Sequence, residues 1–313
     1  MSDAETAMPP LSIDAADREG WIAALDAMFE DLGHSEPLGH CHHALFADEG
    51  TTLLVTFDEA GAVRAEGPGR LPHGFVQARA KGWSWLGLLA EGATWWRDPA
   101  VWRYIDRLVD DAFFEDFDRV LFYGAGQGGY AAAAYSVASP GAGVLAIAPQ
   151  ATLSPALAGW DPRFRAARRL DFTGRYGFAP DMTEGAGRVS VIFDPMERED
   201  AMHAALFHRP WSRLLPARHF GKRPDAGLRK MGVMDGLVEA AMEGRLDDMT
   251  FAEAMRVRRN FGPYLRHLLF TAREAGHPGR EAMICRSVTR RLKAPSFRRR
   301  LAELAEPTGP ADQ

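Results

Sequence analysis

Cysteine is nearly absent: Cys41 and Cys285 are the only two in 313 residues, and they lie far apart in the chain. A disulfide framework is therefore excluded, and a chain of this length buries enough core to need none. Lysine is scarce as well, only four of the 37 basic residues, so the positive charge is almost wholly arginine. No run approaches the roughly 18 apolar residues that a membrane-spanning helix requires. The acidic opening MSDAETAMPPLSIDAADREG lacks the apolar stretch of a secretory signal, so a reducing cytoplasm is the expected setting. Neither Cys-x-x-Cys nor His-Glu-x-x-His occurs, and no cofactor or metal is expected. What remains is 46% hydrophobic and 25% charged, which excludes disordered and fibrous classes.

The net charge of -5 hides an asymmetry. Residues 1–60 hold thirteen Asp or Glu against the single basic Arg18, whereas residues 251–300 hold thirteen Arg or Lys against Glu253, Glu274 and Glu281. Either the two ends neutralise each other in the fold, or the basic helices form a docking face for an anionic protein partner. Nucleic acid is not the expected partner, because no nucleic-acid motif accompanies the charge.

Hydrophobic spacing predicts a helix over 12–32 behind an Asp14 cap, then a polar, His-rich loop over 33–50. Strands are expected at 51–59 and 82–92, and a helix at 98–113. Residues 118–150 read as strand, glycine turn, Ala-rich helix, turn and strand. After an irregular stretch come a strand at RVSVIFDP, a short helix over 200–207 and a strand at SRLLPARHF. This alternation predicts an α/β fold with a mainly parallel sheet covered by helices on both faces. Helices follow at 226–243, 250–275, 280–293 and 297–305. The expected parts are an acidic N-terminal helix and loop (1–50), an α/β domain (51–245) and a basic helical extension (246–313).

The glycine turn Gly124-Ala125-Gly126-Gln127-Gly128-Gly129 formally satisfies G-x-G-x-x-G. A dinucleotide site also needs an acid at the end of the next strand, and GVLAIAPQ ends instead in Pro149-Gln150. The alternative is a nucleophile elbow, G-x-S-x-G, the strand-to-helix turn that exposes a catalytic side chain. YGAGQGGYAAAAYSVASPGAGVLAIAPQ resembles the segment YG-x-S-x-GGY-A-A-L followed by a strand and Pro-Gln in a branch of the α/β-hydrolase superfamily. The resemblance spans residues 51–245 and implies a sheet of α/β-hydrolase type with a helical C-terminal extension. In that alignment Gly126 falls on the nucleophile, the N–H of Gln127 on an oxyanion donor, Asp200 on the acid and His219 on the general base. The same ordered motifs resemble Arg-rich bacterial proteins that carry the label phosphoadenosine phosphosulfate reductase. The S-G-G-x-D-S loop and E-C-G-x-H cysteine segment of such reductases are missing, so that label is not supported.

Glycine at the elbow removes the attacking oxygen and relieves the strain a serine would bear there. The favoured expectation is a catalytically degenerate hydrolase fold used in binding or assembly. Its rivals are an active hydrolase or acyltransferase, using Asp200 and His219 with an unrecognised nucleophile, and a helical docking protein for an anionic partner. Tyr123 and Tyr130 flank the turn, and Trp95 and Trp96, in a tryptophan cluster with Trp83, Trp85 and Trp102, are candidates to line the cleft above it. His34, His40, Cys41, His42 and His43 crowd one segment, for which a solvated loop is expected rather than a metal site. Cys285 lies in the apolar AMICRSV and reads as a buried thiol.

Overall fold

A computed structural model describes residues 12–14 and 17–305. In chain order the elements are α1 (Arg18–Leu32), β1 (Gly33–Leu38), β2 (His42–Ala47), β3 (Thr52–Glu59), α2 (Ala60–Glu66), α3 (His73–Lys81), β4 (Ser84–Ala90), α4 (Pro99–Asp110), β5 (Arg119–Ala125), α5 (Gln127–Tyr135) and β6 (Gly143–Ile147). Then follow α6 (Pro155–Ala158), α7 (Ala179–Met182), β7 (Arg188–Phe193), α8 (Arg198–Leu206), β8 (Ser212–Pro216), α9 (Pro224–Lys230) and α10 (Met234–Met242). The chain ends in α11 (Asp248–Ala254), α12 (Gly262–Glu274), α13 (Pro278–Thr289) and α14 (Pro295–Ala305). Among the described residues no helix is long and apolar enough to cross a membrane.

The strands form one 8-stranded sheet in the order β1-β2-β4-β3-β5-β6-β7-β8. β2 runs antiparallel to both β1 and β4, and every other neighbouring pair is parallel. Parallel strands need both faces covered, and each face carries its own core: Val55, Phe57 and Phe122 on one side, Leu54, Leu121 and Tyr123 on the other. This order, with a strand-to-helix turn after β5, is the α/β-hydrolase arrangement.

Several expectations need correction. The segment 33–50 is not a loop: it folds into β1 and β2, an edge hairpin closed at Gly39 with φ +67. α1 starts at Arg18 because the Asp17 carboxylate, not that of Asp14, accepts the Gly20 N–H at 2.9 Å. The helix over 226–243 divides at Gly232, whose φ of +72 ends α9 and starts a new direction. The one over 250–275 breaks at Phe261, which is extended, so Arg259 lies before the break while Arg266 and Arg273 share α12.

Among the described residues the two charged ends pair locally rather than with each other. Asp26 pairs with His43 and Glu36 with Arg107, while Glu281 pairs with Arg300 within the extension. Among the described residues no ion pair joins residues 17–60 to 251–305. α12, α13 and α14 enclose a small core of Leu265, Cys285, Val288 and Phe297, distinct from the sheet's two. Leu246, Phe251 and Met255 belong instead to the core beneath the sheet.

Burial of histidine in this fold sets a pH dependence. Burial holds His34, His42, His43, His73 and His219 below the ordinary imidazole range, with nearby carboxylates opposing it. The unfolded chain therefore binds more protons as pH falls through about 6.5, and stability is lost in that direction. The urea midpoint is expected to be lower at pH 5.5 than at pH 7.5; equal midpoints would contradict this account.

Candidate functional site at the glycine turn

β5 ends at Ala125, and Gly126 then takes φ 58 and ψ -122 before α5 begins. Its N–H donates to the Ile147 carbonyl at 2.8 Å, which anchors the turn over β6. A Cβ placed on Gly126 would meet nothing within 4 Å, so the position faces open space rather than filled core. Gly124 and Gly128 answer to a different constraint. A Cβ on Gly124 would lie 2.2 Å from the Gly128 carbonyl oxygen, and one on Gly128 would lie 2.2 Å from that of Phe57. Only glycine lets α5 approach β5 and β3 this closely.

Both ends of the Gln127 carboxamide are engaged. Its Oε1 accepts the N–H groups of Thr94 and Trp95, each at 3.0 Å, and its Nε2 donates to the Gly92 carbonyl at 3.0 Å. The elbow thereby fastens the loop that follows β4. Trp95 and Trp96 on that loop are core residues, 2% and 0% exposed. The Trp95 indole donates to Gln150 Oε1 at 3.1 Å, and that of Trp96 to the Leu88 carbonyl at 3.2 Å. Tyr130 and Tyr123 are both buried but belong to cores on opposite faces of the sheet. Burial drives the hydroxyl pKa of each above its ordinary value.

Asp200 does not serve His219. It lies on α8, where its Oδ1 accepts from Arg163 Nη1 at 2.6 Å. Burial raises its carboxyl above the ordinary range, with Arg163 opposing. Arg163 also grips Asp161 through Nε and Nη2, and Asp161 in turn meets His203 Nε2 at 3.1 Å. Because the Ala151 N–H donates to His203 Nδ1 at 3.2 Å, the His203 proton is on Nε2, directed at Asp161.

The carboxylate associated with His219 is Asp194, the first residue after β7 and 1% exposed. Its Oδ1 accepts from Met196 N–H at 2.9 Å and its Oδ2 from Gly221 N–H at 2.7 Å, so it ties the end of β7 to the His219 loop. Burial lowers the pKa of His219 and the Asp194 charge pulls it back up. His267 and Arg258, from the helical extension, also face it and lower it further. The extension reaches this loop directly, with the Phe220 and Tyr264 rings 5.3 Å apart. In the sequence, Asp194 was visible as the last letter of VSVIFD, yet spacing alone did not separate it from Asp200.

No protein-family model matches the chain, and no curated protein matches it in sequence. Solved structures do. The capsule O-acetyltransferase of Neisseria meningitidis serogroup A is 12% identical with a TM-score of 0.41, covering 67% of this chain and 100% of that one. The Pyrobaculum calidifontis esterase is 15% identical with a TM-score of 0.39, covering 75% of this chain and 94% of that one. Est1E from Butyrivibrio proteoclasticus is 13% identical with a TM-score of 0.39, covering 58% of this chain and 86% of that one. At these identities and scores the likeness assigns neither family nor substrate.

Proposed function

We propose that this α/β-hydrolase-like protein is catalytically silent at its elbow and acts in binding or assembly. The observation that carries the reading is Gly126: the elbow backbone is retained at φ 58 and ψ -122, with open space above it and no side chain to attack a substrate. Two further facts support it. Asp200 is committed to Arg163, and the Gln127 carboxamide is spent on the loop after β4 rather than on a water. Asp194 and His219 then remain as a scaffold pair, holding the loops at the carboxyl ends of β7 and β8.

The basic helices α12 to α14 are the surface this reading assigns to an anionic protein partner. Arg266, Arg273, Arg280, Arg286 and Arg290 are exposed there, and among the described residues no acidic group of 17–60 pairs with them. Against a panel of short- and medium-chain p-nitrophenyl esters, the chain is expected to give no turnover above the buffer rate. Turnover that His219→Ala abolishes would defeat the reading.

A further inference from the structure

Beside the elbow lies a second constellation that uses none of Gly126, Asp194 or His219. The loop after β4 turns at Thr94, where the Arg97 N–H closes onto the Thr94 carbonyl at 3.0 Å. The two central residues, Trp95 and Trp96, have φ of 48 and 52. Positive φ at both central residues is normally left to glycine or asparagine, and it costs about 1–3 kcal/mol per residue. What the strained turn achieves is convergence: the N–H groups of Thr94 and Trp95 point at one spot, occupied by Gln127 Oε1 at 3.0 Å from each. A pair of backbone donors on a single carbonyl oxygen is the geometry of an oxyanion hole.

The Thr94 hydroxyl adjoins that pair. It accepts the Trp96 N–H at 3.2 Å and stands 2.8 Å from His42 Nε2. Of the two directions this contact allows, the one in which Thr94 Oγ1 donates to Nε2 leaves the ring proton on Nδ1. His42 Nδ1 is buried without a hydrogen-bond partner and lies 3.9 Å from Asp98 Oδ2. Hydroxyl on one ring nitrogen and carboxylate toward the other is the order that passes a proton from a nucleophile to a base. The neighbouring trio lacks that order, since Ser35 Oγ and Asp26 Oδ1 both meet His43 at Nε2, 2.7 and 2.8 Å away, and so form a clasp.

We propose that Thr94, His42 and Asp98 form a nucleophilic site for small acyl esters, held shut in the resting chain by the Gln127 carboxamide. With Gln127 withdrawn, the ester carbonyl oxygen takes the place of Oε1. Thr94 Oγ1 then bonds to the carbonyl carbon while its proton passes to His42 Nε2. The ester C–O bond breaks, and the leaving alcohol takes that proton, giving acyl-Thr94. Water, deprotonated by His42, then adds to the acyl carbon, the C–Oγ1 bond breaks, and His42 returns the proton to Thr94 Oγ1 as the free acid leaves. Burial keeps His42 below its ordinary pKa, hence neutral and able to accept the proton, with Asp98 opposing. The site draws only its plug, Gln127, from the elbow and needs neither Gly126 nor His219, and the resting chain stays silent at both.

The test uses p-nitrophenyl acetate, with acetylation located by mass spectrometry on the tryptic peptide 82–97, which contains Thr94. Gln127→Ala is expected to acetylate Thr94 on the order of 100-fold faster than the unaltered chain, and adding His42→Gln should remove that gain. Adding Thr94→Val should leave the peptide unlabelled. Gln127→Glu keeps an acceptor in the hole and should stay shut. A cooperatively melting Gln127→Ala protein that leaves Thr94 unacetylated overturns the proposal, as does acetylation indifferent to His42→Gln. Should Gln127→Ala fail to fold, Gln127→Ser opens the same place and carries the same two outcomes. Turnover by the unaltered chain that depends on His219 would instead count against the silent elbow.

Discussion

Replacing Gly128 by alanine is expected to destabilise the chain by about 3 kcal/mol or more, lowering the melting midpoint by roughly 6 °C or more. The added methyl would lie 2.2 Å from the Phe57 carbonyl oxygen, and backbone cannot step aside as a flexible side chain can. Gly124→Ala meets the Gly128 backbone at the same distance and should behave alike. Gly126→Ser is the contrast. Its side chain would enter open space, so only the backbone strain at φ 58 opposes it, about 1–3 kcal/mol. Urea unfolding of the three variants checks the ranking, and a Gly126→Ser loss as large as that of Gly128→Ala would mean the elbow is packed rather than open.

The second large effect lies in the buried cluster on the α8 side. Removing Asp161 by alanine leaves Arg163 held only by Asp200 through Nη1 and strands its Nε and Nη2 protons together with that of His203 Nε2, and is expected to cost on the order of 3 kcal/mol at pH 7. Asp161→Asn keeps an oxygen for His203 and should lose less. Burial by itself pushes the Asp161 carboxyl up, but the bonds from His203 and Arg163 outweigh it and hold the group well below the usual carboxylate range. A depressed folded pKa gives stability that is complete above the unfolded value of about 3.9 and lost as pH falls through the folded one. The gap between the unaltered chain and Asp161→Asn should therefore narrow as pH drops below about 4. A gap that is constant from pH 7 to pH 3 would show that the carboxylate charge contributes nothing.

Much of the sheet was legible because parallel strands announce themselves as apolar runs. β3, β4, β5, β6, β7 and β8 fall where TTLLVTFDE, the tryptophan-rich segment, the glycine-turn unit, RVSVIF and SRLLP place them. The hairpin of β1 and β2 was not, because an edge strand that is half exposed and carries His34, Glu36 and Pro37 looks like a loop. Its histidines are buried by partners the local pattern does not contain: Asp26 for His43, Thr94 for His42.

The site divides in the same way. Gly126 at the elbow was readable because a fixed turn needs fixed spacing. The direction of a carboxylate was not, since Asp200 and Asp194 differ by six positions in sequence yet face Arg163 and the Gly221 amide respectively. Arg163 itself lies in the stretch read as irregular, and nothing in its neighbours marks it as a partner for Asp200.

The silence of the elbow is tested most directly by the intact mass of the unaltered chain after incubation with a serine-directed fluorophosphonate. The account predicts an unchanged mass, because no side chain stands at position 126. A single stoichiometric adduct that is lost in His219→Ala would contradict it.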